Sequence, residues 1–214
     1  MFDAGRHHLI ILLGLPVLAF LLGSIPWGVV FTRIFTPIDI RSQGSGNIGA
    51  TNVSRVAGST LGILTFIGDV LKGAVPVYVA MIFLQEDRWT NDFFLSAVAL
   101  SAFLGHIYPL FLKFKSGGKG VATAAGCFVV LDPPACLSAL LAFMLFLFLS
   151  RRVSVGSLSA AAVLPIGVWF STHSVEIIAG AGIMSVLIFI RHADNIQRLI
   201  SGIEPQFSQK KDPP

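Results

Sequence analysis

The sequence predicts an all-α, polytopic integral membrane protein of about seven transmembrane helices, and three observations predict it. Hydrophobic residues make up 54% of the 214 residues and charged residues only 12%, with a mean hydropathy of +0.80. A soluble domain carries about 25% charged residues. The apolar residues are gathered into runs near the roughly 20 residues that a bilayer crossing takes. The basic residues collect on alternate sides of those runs, the asymmetry that sets the orientation of a multi-pass chain.

Leu9–Phe31 is the first run. It exceeds the roughly 7–15-residue core of a signal peptide, follows Asp3 as well as Arg6, and lacks an A-x-A-like site, so it reads as a retained span. Leu61–Leu84 and Phe93–Leu112 follow. Val121–Leu131 and Ala135–Leu149 are short and separated only by Asp132, Pro133 and Pro134, so they read as two crossings or as one re-entrant hairpin. Either choice changes the crossings by two and leaves the later segments, Val155–Phe170 and Val175–Ile190, on the same side. With the N-terminus outside, one face receives Arg33, Arg41, Arg55, Lys113, Lys115, Lys119, Arg151, Arg152, Arg191, Arg198, Lys210 and Lys211. The other receives Arg6 and Arg88 beside Glu86, Asp87, Asp92, Asp132 and Glu176. The richer face and the C-terminus are therefore expected in the cytoplasm. Residues 1–204 read as one membrane-embedded domain and residues 205–214 as a short polar tail, expected to be disordered.

Several function classes are excluded. The net charge of +4 is modest and forms no basic stripe, so nucleic acid is not an expected partner. Cys127 and Cys136 lie in apolar runs and read as small buried hydrophobes. No metal-ligand spacing is present, and neither a metal nor a cofactor is expected. Gly44, Gly46 and Gly49 fit G-x-G-x-x-G, but both flanks are membrane helices where a dinucleotide site needs a strand before and a βαβ unit around it. The Gly118-Lys119 pair is followed by Gly120 and Val121 where a P-loop requires Ser or Thr. No histidine has aspartate five residues later, as soluble-type glycerolipid acyltransferases require, and no G-x-S-x-G elbow occurs.

Three polar islands fall on the expected cytoplasmic face. In the first, Gly44, Ser45, Gly46, Asn47, Thr51 and Asn52 supply backbone N–H groups and neutral donors, closed by Arg55. Glycine lets successive N–H groups face one concavity, which binds anions, and a guanidinium fork suits phosphate. A helix opening after this island would aim its N-terminus at the same place. The second island has Gly117, Gly118 and Gly120 around Lys119; Lys113 and Lys115 read as interfacial anchors, and His106 nearby as a helix-packing residue. In the third, His192 and Asn195 are three apart and share a helical face, Arg191 and Arg198 read as anchors, and Glu204 caps or pairs with a basic neighbour. Asp69 and Lys72, three apart within the second span, are expected to pair, because an ionisable group at that depth costs at least about 2.5–3.5 kcal/mol.

Leu21–Gly28, Gly44–Arg55, Asp69–Gly73, Gly105–Thr123 and His192–Glu204 together resemble the bacterial membrane acyl-phosphate:glycerol-3-phosphate acyltransferases, the PlsY family, over nearly the whole chain. Two departures stand out: Ser116 is inserted between Lys115 and Gly117, leaving both Lys115 and Lys119 as candidates for one role, and Ala193 stands where many relatives have arginine. The resemblance implies a seven-helix enzyme of the bacterial inner membrane with its active site facing the cytoplasm. Its substrates would be a fatty acyl phosphate and glycerol 3-phosphate, and its products 1-acylglycerol 3-phosphate and phosphate, the first acylation of phospholipid synthesis. Gly44, Ser45, Gly46 and Asn47 would hold the acyl phosphate, and Arg55 would neutralise substrate phosphate. Gly117, Gly118, Lys119 and Gly120 would bind glycerol 3-phosphate, while His192 and Asn195 would orient the hydroxyl or donate to the carbonyl. A transporter of phosphorylated solutes is the competing class, but it predicts midplane sites and internal repeats, and the islands sit at one interface.

Overall fold

The computed structural model describes residues 2–83, 88–115 and 117–207, and no strand occurs among them. Ser116, Glu86, Asp87, Lys210 and Lys211 lie outside the described residues, as does most of the expected tail. Ten α-helices follow in order: α1 (Phe2–Gly23), α2 (Trp27–Phe35), α3 (Ala50–Ala57), α4 (Ser59–Phe83), α5 (Arg88–Ile107), α6 (Val121–Leu131), α7 (Pro133–Ser150), α8 (Val153–Ser171), α9 (Val175–Arg191) and α10 (Ala193–Ile200).

Four of these, α4, α5, α7 and α8, are long and apolar enough to cross a membrane, and two bent pairs raise the number to six. The first bent pair departs from the single run expected at Leu9–Phe31. The chain breaks at Ser24–Pro26 and resumes as α2 at 40°. Pro26 has no N–H to continue the ladder, and the Ser24 hydroxyl turns back to donate to Phe20 O at 2.8 Å. The second pair, α9 and α10, bends by 57° at His192. Helix α6 has 11 residues, which rise about 16 Å, roughly half the hydrocarbon thickness. Asp132 ends it and caps the next helix, its Oδ1 accepting from Ala135 N–H at 3.0 Å, with Pro133 at the first helical position, where a missing N–H costs nothing.

Helix α5 is the centre of the bundle and packs against α1, α4, α6 and α9; α4 also holds α2, α3 and α6, while α7, α8 and α9 follow one another. The tightest seams run through small residues. A Cβ on Gly23 would lie 2.0 Å from Ala102 O, and one on Gly126 would lie 2.0 Å from Val70 O, so α1 meets α5 and α6 meets α4 nearly backbone to backbone. Outward, α7 shows Leu137, Leu140, Leu141, Met144, Leu145, Phe148 and Leu149 as an exposed row, a face suited to hydrocarbon.

The charge pair in α4 repairs the break in the first span. Lys72 Nζ lies 2.9 Å from Asp69 Oδ1 and donates to Ile25 O at 2.9 Å, a carbonyl in the unwound segment. Asp69, Lys72 and His106 are all buried, and His106 Nδ1 stands 3.5 Å from Asp69 Oδ1, a polar contact too long for a good hydrogen bond.

Candidate active site

The first island is a loop built around one buried side chain. Asn52, in the first turn of α3, accepts from Ser45 N–H at 3.0 Å and donates to Gln43 O at 3.1 Å and Asn47 O at 2.9 Å. Asn47 in turn accepts from Gly49 N–H at 2.8 Å. Gly44 is left-handed at φ 62°, and a Cβ there would meet Asn52 Oδ1 at 2.3 Å, so conformation and space both demand glycine. The Asn52 amide is spent on the loop itself. What the loop presents is the exposed Ser45, Thr51 and Arg55, and Arg55 has no carboxylate partner among the described residues. The island opens the short α3, and Gly58 separates that helix from the charged α4.

The second island is pinned from behind. Arg191 donates to Gly117 O at 2.7 Å and to Gly118 O at 3.2 Å, and Gly118 N–H donates to His106 O at 3.2 Å. A Cβ on Gly118 would lie 1.9 Å from His106 Nε2, so the loop and the histidine ring share one close contact. Gly117 and Gly118 therefore form the back of the loop, while Lys119 and Gly120 face the cavity in front. Arg191 is thus a clamp as well as an interfacial charge. Lys119 donates to Asn195 Oδ1. Burial, the largest influence, lowers the Lys119 pKa to about 8 against the opposing pull of Glu204.

The third island joins at the α9–α10 bend. His192 Nδ1 is 2.8 Å from Ile188 O; in the neutral ring that nitrogen carries the proton, leaving Nε2 as an acceptor. Asn195 donates to Glu204 Oε1 at 2.6 Å, and Arg198 pairs with Glu204 Oε2 at 2.7 Å. Burial raises the Glu204 pKa, but its hydrogen-bond donors, Asn195 foremost, outweigh it and hold the carboxyl below its ordinary value. Lys119, Asn195, Glu204 and Arg198 thus form one chain of donors and acceptors across two islands.

All three islands line one cavity of about 1180 Å³ that includes Ser45, Arg55, Lys119, His192, Asn195 and Glu204, with Asp69 and His106 also on its wall. Sequence reasoning missed a fourth contributor, the start of α8. Arg152, Ser154 and Ser157 line the same cavity; Arg152 Nε donates to Glu204 O at 3.1 Å, and the buried Ser154 Oγ lies by the Glu204 carboxyl without a well-formed hydrogen bond. The signal was present: two serines three apart, one turn inside an apolar helix and just after a basic pair. Arg198, read as an anchor, also lines the cavity. No cluster of three or more potential metal ligands occurs among the described residues. Such an assembly, with Arg55, Lys119, Arg152 and Arg198 around a large concavity, can hold more than one phosphate-bearing molecule.

Residues 13–202 match the family described as glycerol-3-phosphate acyltransferase. Relatives carrying that name include one from Syntrophotalea carbinolica, 52% identical over 189 residues (88% of this chain, 94% of the relative). Another, from Trichlorobacter lovleyi, is 44% identical with the same coverage. Among solved structures, the crystal structure of PlsY (YgiH), an integral membrane glycerol 3-phosphate acyltransferase, is similar in its glycerol 3-phosphate form with a TM-score of 0.85 and 38% identity (92% of this chain, 96% of that one). Its lysophosphatidic acid form gives 0.83 and 37% (91% and 94%).

Proposed function

The chain belongs to the glycerol-3-phosphate acyltransferase family and transfers an acyl group to glycerol 3-phosphate, and we propose that its donor is a fatty acyl phosphate held beside the acceptor in the 1180 Å³ cavity. The observation that carries this reading is the convergence of three sequence-distant islands and the start of α8 on that single cavity. Both substrates bring phosphate, and the wall supplies separated cations for two anions: Arg55 with the Ser45 loop on one side, Lys119 with Arg152 and Arg198 on the other. The similar PlsY structures are described as glycerol 3-phosphate and lysophosphatidic acid forms, the acceptor and product expected here.

The glycerol 1-hydroxyl oxygen attacks the acyl carbonyl carbon. An ester C–O bond forms, the carbonyl–phosphate C–O bond breaks, and phosphate leaves with the electron pair. Because an acyl phosphate is a mixed anhydride with a good leaving group, the protein's task is to align two anions and stabilise charge on the carbonyl oxygen. Ser45, Thr51 and Arg55 hold the acyl phosphate, and Lys119 with Gly120 holds the glycerol phosphate. Neutral His192, with Nδ1 committed to Ile188 O, offers Nε2 to accept from the attacking hydroxyl. The hydroxyl proton then goes to that nitrogen or to a phosphate oxygen. Asn195, itself held by Glu204, positions Lys119. The acyl chain leaves the cavity past Phe66 and Phe143, which line it from α4 and α7, toward the bilayer.

The reading places the N-terminus outside, the cavity at the cytoplasmic face of the bacterial inner membrane, and seven crossings with α6 as the short one. Purified protein in lipid, given glycerol 3-phosphate with acyl phosphate, acyl-CoA or acyl-carrier protein in parallel, tests it. Ester formation is expected with acyl phosphate, with phosphate released in step; turnover only with acyl-CoA or acyl-carrier protein would sink the donor assignment.

A further inference from the structure

A second, smaller cavity of about 390 Å³ is lined by Arg33, Arg41, Phe111, Leu112, Lys113 and Lys115, and it shares no lining residue with the active-site cavity. The structure thereby separates the two candidate lysines, placing Lys119 in the large cavity and Lys115 in the small one. Arg41 is paired with Asp39 at 2.7 Å, but Arg33, Lys113 and Lys115 make no ion pair or side-chain hydrogen bond among the described residues. Asp39 offsets Arg41 and also acts on Arg33, so the four cations leave a net positive charge that favours a further anion. Lys113 and Phe114 are consecutive non-glycine residues in the left-handed region, at φ 54° and 61°, a conformation that turns this loop toward the end of α2.

The surroundings say what kind of anion fits. Phe111 lines the cavity and is exposed, as are Ile34 and Phe35 next to Arg33 in the chain and Phe114 between Lys113 and Lys115. In water they would be an unfavourable apolar rim; at headgroup depth in a bilayer they are buried in lipid, with the cations level with the phosphates. We propose that this cavity is a binding site for the phosphate headgroup of an anionic phospholipid, bridging the α2 end to the loop after α5. Basic pockets at the cytoplasmic ends of membrane helices suit such headgroups, and Phe111 and Leu112 offer apolar contact to the glycerol and first acyl carbons.

The site has a route to activity because each of its two halves leads into a catalytic island. Ile40, beside Arg41, is fully buried against the cluster that includes Val53 of α3, and Leu112 packs on the same cluster. A bound headgroup would hold the Ser45 loop and the Lys119 loop in one relative position.

The test uses full-length protein in nanodiscs of phosphatidylcholine with or without phosphatidylglycerol, read by lipid retained in native mass spectrometry and by acyl transfer. Wild type is expected to retain phosphatidylglycerol over phosphatidylcholine by about tenfold. Arg33→Gln/Lys113→Gln should lose that preference while keeping its turnover in phosphatidylcholine, which also shows that it folds; Arg151→Gln, a cation outside the cavity, should keep it. An unchanged preference in the double variant, or an equal loss in Arg151→Gln, overturns the site. If the double variant does not fold, Lys115→Gln alone is expected to lower retention severalfold, and unchanged retention there overturns the site equally. Inorganic phosphate separates the two sources of the same chemistry: retention that survives it supports a lipid site, whereas displacement of the lipid with equal thermal protection by phosphate, in wild type alone, overturns the lipid assignment. Lipid retention is read independently of acyl transfer, so its failure leaves the donor assignment standing.

Discussion

Lys119 and Glu204 show how little of a residue's chemistry resides in its identity. Lys119 holds its charge only below about pH 8, because burial opposes the cation. The sign of the consequence follows directly: the cation proposed to bind glycerol phosphate is present below that pH and is lost as pH rises through it. KM for glycerol 3-phosphate should therefore climb above about pH 8. Glu204 supports the charged form of Lys119, so Glu204→Gln should move that limb to lower pH. A limb that stays in place in the variant would mean another group titrates. Removing the cation with Lys119→Met should lower kcat/KM by about 10²-fold or more. His192 makes the same point without titration, since its hydrogen bond to Ile188 O decides which ring nitrogen can accept a proton. In the sequence, His192 and Asn195 look like two equivalent polar groups on one face. In the structure Asn195 is a link whose oxygen takes Lys119 and whose amide holds Glu204.

At the scale of helices, the site depends on seams built from small residues. The α4–α6 contact is made by Gly73 and Gly126, where added Cβ atoms would lie 2.2 Å from Thr123 O and 2.0 Å from Val70 O. Backbone cannot yield as a flexible side chain can. Gly126→Ala should thus destabilise the protein by about 1–3 kcal/mol, read as a lower thermal midpoint in detergent. It should also impair turnover, because α6 follows directly from Lys119 and Gly120. Gly182→Ala, with nothing within 4 Å, is the matched control and should be close to neutral. A Gly126→Ala protein as stable as that control would show that the seam tolerates separation. Breaks matter as much as seams. The interruption at Ser24–Pro26 leaves Ile25 O to be satisfied by Lys72, so the buried Asp69–Lys72 pair joins the first span to α4 at the wall of the large cavity.

For the whole molecule, the decisive property is that loops separated by most of the chain share a side. Cysteines introduced by Ser42→Cys, Tyr108→Cys and Asp194→Cys, each with Cys136→Ser so that only the buried Cys127 accompanies them, should react with an impermeant maleimide in inside-out vesicles. His173→Cys, in the turn between α8 and α9, should react only in right-side-out vesicles. Ser42→Cys and Asp194→Cys on opposite sides would make a shared cavity impossible.

The all-helical class, the apolar segments and the three polar islands were legible in the sequence, because composition and hydrophobic run length act locally and a bilayer turns them into helices. The charge asymmetry likewise made one orientation the natural expectation. Tertiary contact alone decided that the first run breaks, that the first island opens a short separate helix, that Gly117 and Gly118 turn their backs on the cavity, and that α8 contributes Arg152, Ser154 and Ser157. Those outcomes depend on which backbone groups are left without partners and on how closely helices can approach, quantities that are fixed only when distant segments meet.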